Sequence, residues 1–248
     1  MDLNSDLGES FGVYTLGADA ELFPLITSAN IACGFHAGDP QVMERTVALA
    51  RAHGVAIGAH PGYPDLAGFG RRAMEAGEIE IENFVLYQIG ALAGFCRAQG
   101  APLRHVKPHG ALYNMASRDL KVARAIARAV ARYDPQLVLV GLANSALIDA
   151  AHELGIQAAS EGFCDRAYNP DGTLRSRREP GAVHATPERA AAQAVQLARD
   201  HNLTAYDGTI IPLEVDTLCL HGDTPHAVEY ARAIRRALAE AGIEIKAL

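Results

Sequence analysis

The stretch SANIACGFHAGDP, residues 28–40, joins an apolar run of strand length to a crowded set of polar side chains. The polar groups include Asn30, His36 and Asp39, and the stretch closes with Pro40. An Asp-Pro pair is typical of a helix start, because the aspartate caps the first turn and proline suits the first helical position. The stretch therefore predicts a strand, a polar turn and a helix, which together form the unit of an α/β fold.

Six further segments of strand length are spread along the chain. They are MDLNSDL, VAIGAH, HVKPHG, LVLVGL, QAASEGF and TLCLHGD. Helical patterns separate most of the segments; Met43, Val47 and Ala50 recur at helical spacing, for example. Two Thr-Pro pairs, at 186–187 and 224–225, mark further helix starts. Strands that alternate with helices indicate a mostly parallel sheet.

The length of 248 residues fits either one α/β barrel or two small domains. No linker, fixed-period repeat or low-complexity tract divides the chain, so we expect a single barrel domain over residues 1–248. A doubly wound sheet is the rival fold. The sequence has no GxGxxG after its first strand and no GxxxxGK[ST], so neither phosphate-binding glycine loop is present.

Composition excludes several classes of function. With 22 basic and 29 acidic residues the formal charge is -7, and no basic block stands out, so nucleic acid is a poor partner. The four cysteines are scattered without a CxxC pair, which indicates reduced thiols. No signal peptide and no apolar run of about 18 residues is present, so no membrane association is predicted. We expect a soluble, cytoplasmic protein, and a homo-oligomer stays open.

Ionisable side chains collect near the C-terminal ends of six strands. Residues two apart on a strand point to the same face, so Asp2, Asn4 and Asp6 share one face, and Lys107 shares another with His109. The same rule pairs Glu161 with Asp165 and His221 with Asp223, and His36 and His60 follow two other strands. In a barrel these ends meet at one mouth. We therefore expect one pocket bordered by Asp6, His36, His60, Lys107, Glu161 and His221.

Each of these residues also has a structural interpretation. Asp39 is better explained as a helix cap, Asp223 precedes a helix start, and Asp2 beside the chain terminus is explained by solvation alone. Lys107 is harder to explain this way, because a lysine inside a barrel strand needs a partner for its charge.

Two long loops follow strand ends that carry candidate residues, at 61–78 and 166–184. Both contain glycine, proline and a pair of adjacent arginines. They are either solvated surface loops or lids whose guanidinium groups hold a carboxylate or a phosphate.

Long motifs of the chain resemble the LamB/YcsF family, which includes the A subunits of prokaryotic ATP-dependent 5-oxoprolinases. The matching segments are DLNSDLGES, SANIACGFHAGDP, GAHPGYPDLAGFGRR, VKPHGALYN, EGFCDRAYNPDGTL, PGAV and LCLHGD. The resemblance implies a (β/α)7 TIM-like barrel of the glycoside hydrolase/deacetylase type. It implies that 5-oxo-L-proline, ATP and two waters give L-glutamate, ADP and phosphate, with subunits B and C as partners. Mg²⁺ is expected to accompany ATP, and no dedicated protein-bound metal is assigned.

A lactam resists attack by water, and phosphorylation of its carbonyl oxygen by ATP makes it a better electrophile. Such a site needs a cation for the phosphoryl oxygens, a base for water and a proton donor for the ring nitrogen. Lys107, assisted by Arg166, suits the first role; Asp6 or Glu161 suits the second; His109 or His221 suits the third. The predicted substrate-binding residues are Asn4, Asn30, His36, His60, Arg166 and Asp223.

Two other functions stay open at this point. The first is a metal-dependent amide hydrolase or deacetylase, with Asp6, His36, His60 and His221 as possible ligands. The His105–His109 pair does not support it, because four residues of strand separate its ends by about 13 Å. The second is a non-catalytic binding subunit that completes the site of a partner.

Overall fold

Seven parallel strands close into a barrel in the computed structural model, which describes residues 1–222 and 226–248. The strands of the chain are β1 (Asp2–Leu7), β2 (Ser28–Ala32), β3 (Ala56–His60), β4 (Leu103–Val106), β5 (Val138–Leu142), β6 (Ala158–Phe163), β7 (Asn202–Thr204), β8 (Ile210–Pro212) and β9 (Thr217–His221). The order around the barrel is β1-β2-β3-β4-β5-β6-β9, and β9 pairs with β1 to close it. The predicted TIM-like (β/α)7 fold is confirmed.

Helices surround the barrel and cover its apolar outer face. They are α1 (Asp19–Leu22), α2 (Pro40–His53), α3 (Glu78–Ala98), α4 (Gly110–Ala116), α5 (Leu120–Tyr133), α6 (Ala146–Glu153), α7 (Pro187–Asp200) and α8 (Ala227–Glu240). Short 3₁₀ turns occupy Phe23–Leu25 and Leu66–Gly68. No helix within the described ranges is long and apolar enough to cross a membrane.

Two of the three predicted helix starts are confirmed. The Asp39 carboxylate accepts hydrogen bonds from the backbone N–H groups of Gln41 and Val42, at 2.8 and 2.9 Å. The Thr186 hydroxyl accepts from the N–H of Arg189 at the start of α7. The third predicted start, at 224–225, lies outside the described residues, as does Asp223.

The antiparallel hairpin of β7 and β8 was not expected from the sequence. Each of its strands has three residues, and Leu203 is the buried one in the first of them. Segments this short and this exposed carry no apolar alternation, so the hydrophobic pattern gives no strand signal there. The hairpin lies outside the barrel, between α7 and β9.

The barrel interior is unusually polar, and its register explains how the polar groups fit. Asp6 of β1 lies opposite Asn30 of β2 on one side and His221 of β9 on the other. The His105 ring occupies the space beside Gly58 of β3, so only glycine fits there, and a Cβ would overlap His105 Nε2. Layers of side chains from neighbouring strands therefore interlock, as in other α/β barrels.

Asp2 is buried rather than solvated, which corrects the interpretation from the sequence. It is 2% exposed at the N-terminal end of β1. Its carboxylate accepts hydrogen bonds from the hydroxyls of Thr27, Ser28 and Thr217. Burial raises the pKa of Asp2, and these hydroxyls oppose the shift. The residue ties three strands together at the end of the barrel opposite the predicted site.

Candidate functional site

Lys107 lies at the centre of a buried charge cluster at the mouth of the barrel, meaning the C-terminal ends of its strands. It follows the last residue of β4, and its N–H still donates to the carbonyl oxygen of Ala59 at 2.9 Å. Its Nζ is 2.8 Å from Glu161 Oε1 and 3.0 Å from Asp6 Oδ1. The side chain is 2% exposed, so its charge is neutralised inside the protein and not by water.

The carboxylates of Asp6 and Glu161 keep Lys107 protonated. Burial alone would lower the pKa of Lys107, but the negative charges of Asp6 and Glu161 raise it well above its usual range. Burial alone would raise the pKa of Asp6, but His60 and Lys107 hold it well below its usual range. Lys107 is therefore an ammonium group and Asp6 a carboxylate at neutral pH.

A network of amides positions this cluster. The Asn4 amide donates to Glu161 Oε1 at 3.0 Å and to the Thr217 hydroxyl at 2.7 Å. The Asn30 amide donates to Asn4 Oδ1 at 2.7 Å and to Asp6 Oδ1 at 2.9 Å. Since the partners of both amides are protein groups, the geometry gives Asn4 and Asn30 a positioning role towards the carboxylates.

Two histidines from adjacent strands meet beside Asp6. His60 Nδ1 is 2.7 Å from the carbonyl oxygen of Lys107, and His109 Nε2 is 2.9 Å from that of Phe69. A carbonyl oxygen only accepts, so each of these nitrogens carries a hydrogen. The other two nitrogens, His60 Nε2 and His109 Nδ1, face each other at 2.9 Å, and His60 Nε2 is 3.3 Å from Asp6 Oδ2.

His36 packs against this pair from the loop after β2. Its ring lies parallel to that of His109, with the ring centres 3.7 Å apart, and its Nε2 is 3.7 Å from Glu9 Oε1. His36 is fully buried, and burial holds the pKa values of both His36 and His109 well below their usual range. The loop at 61–78 closes over these rings, where a Cβ at Gly70 would lie 2.7 Å from the Cβ of His36.

His221 occupies the opposite side of the mouth. Its Nδ1 is 2.9 Å from Asp165 Oδ2, and its ring stacks on Phe163 with the centres 5.3 Å apart. Burial alone would raise the pKa of Asp165, but the charge of His221 lowers it to about 2. The same Phe163 ring lies 5.2 Å from Lys107 Nζ, so one aromatic side chain connects His221 to the central cluster.

One arginine in each of the two long loops makes contacts within its own loop. Arg166 is 6% exposed and donates to the carbonyl oxygens of Ala182 and Arg175, so it holds the 166–184 loop together. Burial, with a smaller contribution from Arg177, lowers its pKa to about 10. Arg72 pairs with Asp65 inside the 61–78 loop. Their visible contacts are structural, and an anion-binding role for Arg166 stays a prediction.

The structure brings the six residues predicted to share a pocket to one end of the barrel. Asp6, Lys107 and Glu161 are in direct contact, His60 contacts Asp6, and His36 and His221 flank them. Sequence reasoning did not select Glu9, in the turn after β1, or Tyr113, whose hydroxyl donates to Glu161 Oε2 at 2.7 Å. Both lie inside motifs quoted above, Glu9 in DLNSDLGES and Tyr113 in VKPHGALYN, and Tyr113 follows His109 by about one helical turn.

A comparison with known families identifies the chain. The model of the LamB/YcsF family matches residues 1–248. The chain belongs to the LamB/YcsF family. This confirms the resemblance carried by the motifs at residues 2–223.

Similar proteins of this family are known from several bacteria. The chain is 57% identical to the A subunit of 5-oxoprolinase from Symbiobacterium thermophilum, over all of this chain and 95% of that protein. It is 53% identical to the A subunit of 5-oxoprolinase from Tolumonas auensis, over all of this chain and 99% of that protein. Among solved structures, the lactam utilization protein of Thermus thermophilus superposes with a TM-score of 0.94 at 50% identity, covering 100% and 99% of the two chains.

Proposed function

We propose that this protein is the A subunit of an ATP-dependent 5-oxoprolinase and that its barrel mouth opens the lactam ring of 5-oxo-L-proline. The observation that carries the proposal is the buried contact of Lys107 with Asp6 and Glu161, flanked by histidines on two sides. The full-length similarity to relatives named as the A subunits of 5-oxoprolinases supports the choice of substrate.

The chemistry needs ATP because an amide is a poor electrophile. Transfer of the γ-phosphoryl group to the lactam carbonyl oxygen makes that carbon open to attack by water. Water then adds, the C–N bond of the ring breaks, and the ring nitrogen takes up a proton. The resulting acyl phosphate reacts with a second water to give L-glutamate and phosphate.

Lys107 supplies a fixed positive charge where negative charge grows on oxygen. Because it is held by two carboxylates and cannot rotate freely, little reorganisation is needed during reaction. Asp6 is the better placed of the two candidate bases, since it is 6% exposed at the mouth and Glu161 is fully buried beneath it. Glu161 then acts by holding Lys107.

His221 is the better placed proton donor for the ring nitrogen. The Asp165 carboxylate contacts His221 Nδ1 at 2.9 Å, so Nε2 points away from that carboxylate. The aspartate of a catalytic triad orients its histidine in the same way. His109, the other candidate, has both ring nitrogens in contact with protein atoms. His221 is also partly exposed, with 11% of its side chain accessible.

Partner subunits and ATP are part of the proposal. The names of the relatives support a multisubunit enzyme, and the resemblance specifies subunits B and C. The chain has no recognisable phosphate-binding glycine loop, which fits a division of labour between the subunits. ATP is the co-substrate, with Mg²⁺ accompanying it, and the complex works in the cytoplasm.

Reconstitution tests the proposal. The chain alone, the B and C subunits alone, and all three together are incubated with 5-oxo-L-proline in the presence and absence of ATP, and glutamate and ADP are measured. We expect both products only from the complete mixture with ATP. Glutamate formed by the chain alone without ATP, in a chelator-sensitive reaction, would instead identify a metal-dependent amide hydrolase.

A further inference from the structure

The contact between His60 and His109 needs a cation between or beside the two ring nitrogens that face each other. The backbone carbonyl oxygens of Lys107 and Phe69 fix a hydrogen on His60 Nδ1 and on His109 Nε2. In neutral rings, His60 Nε2 and His109 Nδ1 then present two lone pairs to each other across 2.9 Å. Such a contact is repulsive unless a cation, either a proton or a metal ion, lies between or beside the two nitrogens.

Two more buried groups face the same point. Glu9 Oε1 is 3.7 Å from His109 Nδ1 and 3.7 Å from His36 Nε2. One ligand atom from each of Glu9, His36, His60 and His109 lies within 4.8 Å of every other. Neither ring nitrogen of His36 has a hydrogen-bond partner within residues 1–222 and 226–248, although the residue is fully buried. A buried imidazole without a partner is costly and needs an explanation.

We propose that Glu9, His36, His60 and His109 form a binding site for one divalent transition-metal ion of the Zn²⁺ class. Ligands of a tetrahedral ion with metal–nitrogen distances of about 2.1 Å lie about 3.4 Å apart. Three of the six separations between these ligand atoms are 2.9, 3.7 and 3.7 Å, which bracket that spacing, and all six lie within 4.8 Å. Imidazole suits Zn²⁺ and the later first-row metals, whereas Mg²⁺ prefers oxygen ligands, so this ion is distinct from the Mg²⁺ of ATP.

One change of conformation is part of the proposal. The rings of His36 and His109 are parallel to within 4°, so an ion in the plane of one ring lies off the plane of the other. His36 is the ring that turns, because no hydrogen bond of its nitrogens within the described residues holds it in place. The other two rings are fixed by backbone carbonyl groups, as is usual for metal-binding histidines, whose second nitrogen is oriented by a hydrogen bond.

The site differs from the ligand set considered from the sequence. That set combined Asp6 and His221 with His36 and His60, but His221 pairs with Asp165 on the opposite side of the mouth. In the proposed site Glu9 and His109 take those places. Asp6 Oδ2 is 3.3 Å from His60 Nε2, so it would lie next to an ion bound there. A bound metal would therefore add positive charge beside the same carboxylate that contacts Lys107.

Metal binding is measured on the chain alone, without lactam, ATP or partners, so the result is independent of the proposed function. The purified protein is analysed for metal content, stripped with a chelator, and titrated with Zn²⁺ by calorimetry and with Co²⁺ by visible absorption. We expect one ion per chain, a Co²⁺ spectrum of the intense four-coordinate type, and a higher melting temperature with Zn²⁺.

His36→Ala and Glu9→Gln are the test variants, and His152→Gln, which removes an exposed imidazole on α6, is the matched control. We expect Zn²⁺ affinity to fall at least about 10²-fold in either test variant and to stay unchanged in the control. Loss of a residue that only hydrogen-bonds to a metal ligand typically lowers affinity less, by about 10- to 100-fold. Melting of the metal-free proteins shows whether each variant is folded, and Glu9→Gln keeps the shape of the side chain if His36→Ala does not fold. Two results would overturn the proposal: equal Zn²⁺ binding by wild type and both folded test variants, or a wild type that retains no metal and has no titratable site. The contact between His60 and His109 would then be explained by a shared proton.

Discussion

Replacing Lys107 with methionine removes one charge and keeps most of the apolar stem. The substitution leaves the carboxylates of Asp6 and Glu161 without the ammonium group that lies 3.0 and 2.8 Å from them. Removing one partner of a buried ion pair costs about 3–5 kcal/mol, because the remaining charge stays buried. The pair can limit this cost by taking up a proton, which at pH 7 costs up to about 4 kcal/mol for an ordinary carboxyl group.

Other donors reduce the cost further in this site. Glu161 keeps the hydrogen bonds from Asn4 and Tyr113, and Asp6 keeps that from Asn30. We therefore expect Lys107→Met to lower the free energy of unfolding by about 3 kcal/mol at pH 7. The penalty should shrink as the pH falls towards 4, because a carboxyl group that is protonated in the folded variant is then protonated in the unfolded chain as well.

Lys107→Met should lower turnover by more than the smaller fraction of folded protein accounts for. Loss of one preorganised electrostatic contact typically lowers kcat by about 10²–10³. Urea unfolding and steady-state kinetics of the reconstituted complex are measured on one preparation, with the exposed Lys121→Met as the control. A folded variant that keeps near-normal turnover after correction for the folded fraction would refute the role of Lys107 and leave it a purely structural ion pair.

Three further predictions concern other parts of the site. Asp165→Asn should destabilise the protein by about 2 kcal/mol above pH 5, because a carboxylate whose pKa is lowered by folding stabilises the fold at pH values above its pKa in the unfolded chain. In urea unfolding the difference should vanish as the pH falls from 3.8 towards about 2, and a difference that grows towards low pH would contradict the assignment. His221→Gln should also cost about 2 kcal/mol of stability, because it removes the charge opposite Asp165. Per folded chain it should lower kcat by about 10²–10⁴, and an unchanged kcat would remove it as the proton donor. Gly58→Ala should cost about 3 kcal/mol of stability, because its Cβ would overlap the His105 ring. Gly90→Ala, on a helix with open space around it, should be neutral or stabilising. Equal unfolding midpoints of the two variants would contradict the packing of His105 against Gly58.

The sequence contains enough information to predict the barrel and the end at which the candidate residues collect. Alternation with helices and the Asp39-Pro40 start determine a parallel sheet, and polar residues two apart place Lys107 and Asp6 inside it. The need of a buried lysine for a partner also follows from its position alone, and in the structure two carboxylates, those of Asp6 and Glu161, contact it.

Contacts that depend on register and loop geometry could not be predicted in the same way. Glu9 is one of several polar residues in the turn after β1, and only the folded loop directs it towards His36 and His109. The facing nitrogens of His60 and His109 depend on which backbone carbonyl group binds each ring, and periodicity gives no information about that. Arg166 shows the same limit, because its contacts are with the carbonyl groups of its own loop.

The most direct test of the central claim compares two aspartates on one face of one strand. Asp6 lies at the mouth of the barrel, and Asp2 lies at its other end among three hydroxyl groups. Glutamate formation from 5-oxo-L-proline and ATP is measured for complexes reconstituted with Asp6→Asn or with Asp2→Asn, per folded chain. We predict that Asp6→Asn lowers turnover by at least about 10²-fold while Asp2→Asn lowers stability but keeps kcat within a few-fold of wild type. Near-normal turnover with Asp6→Asn would contradict the placement of the reaction at the barrel mouth.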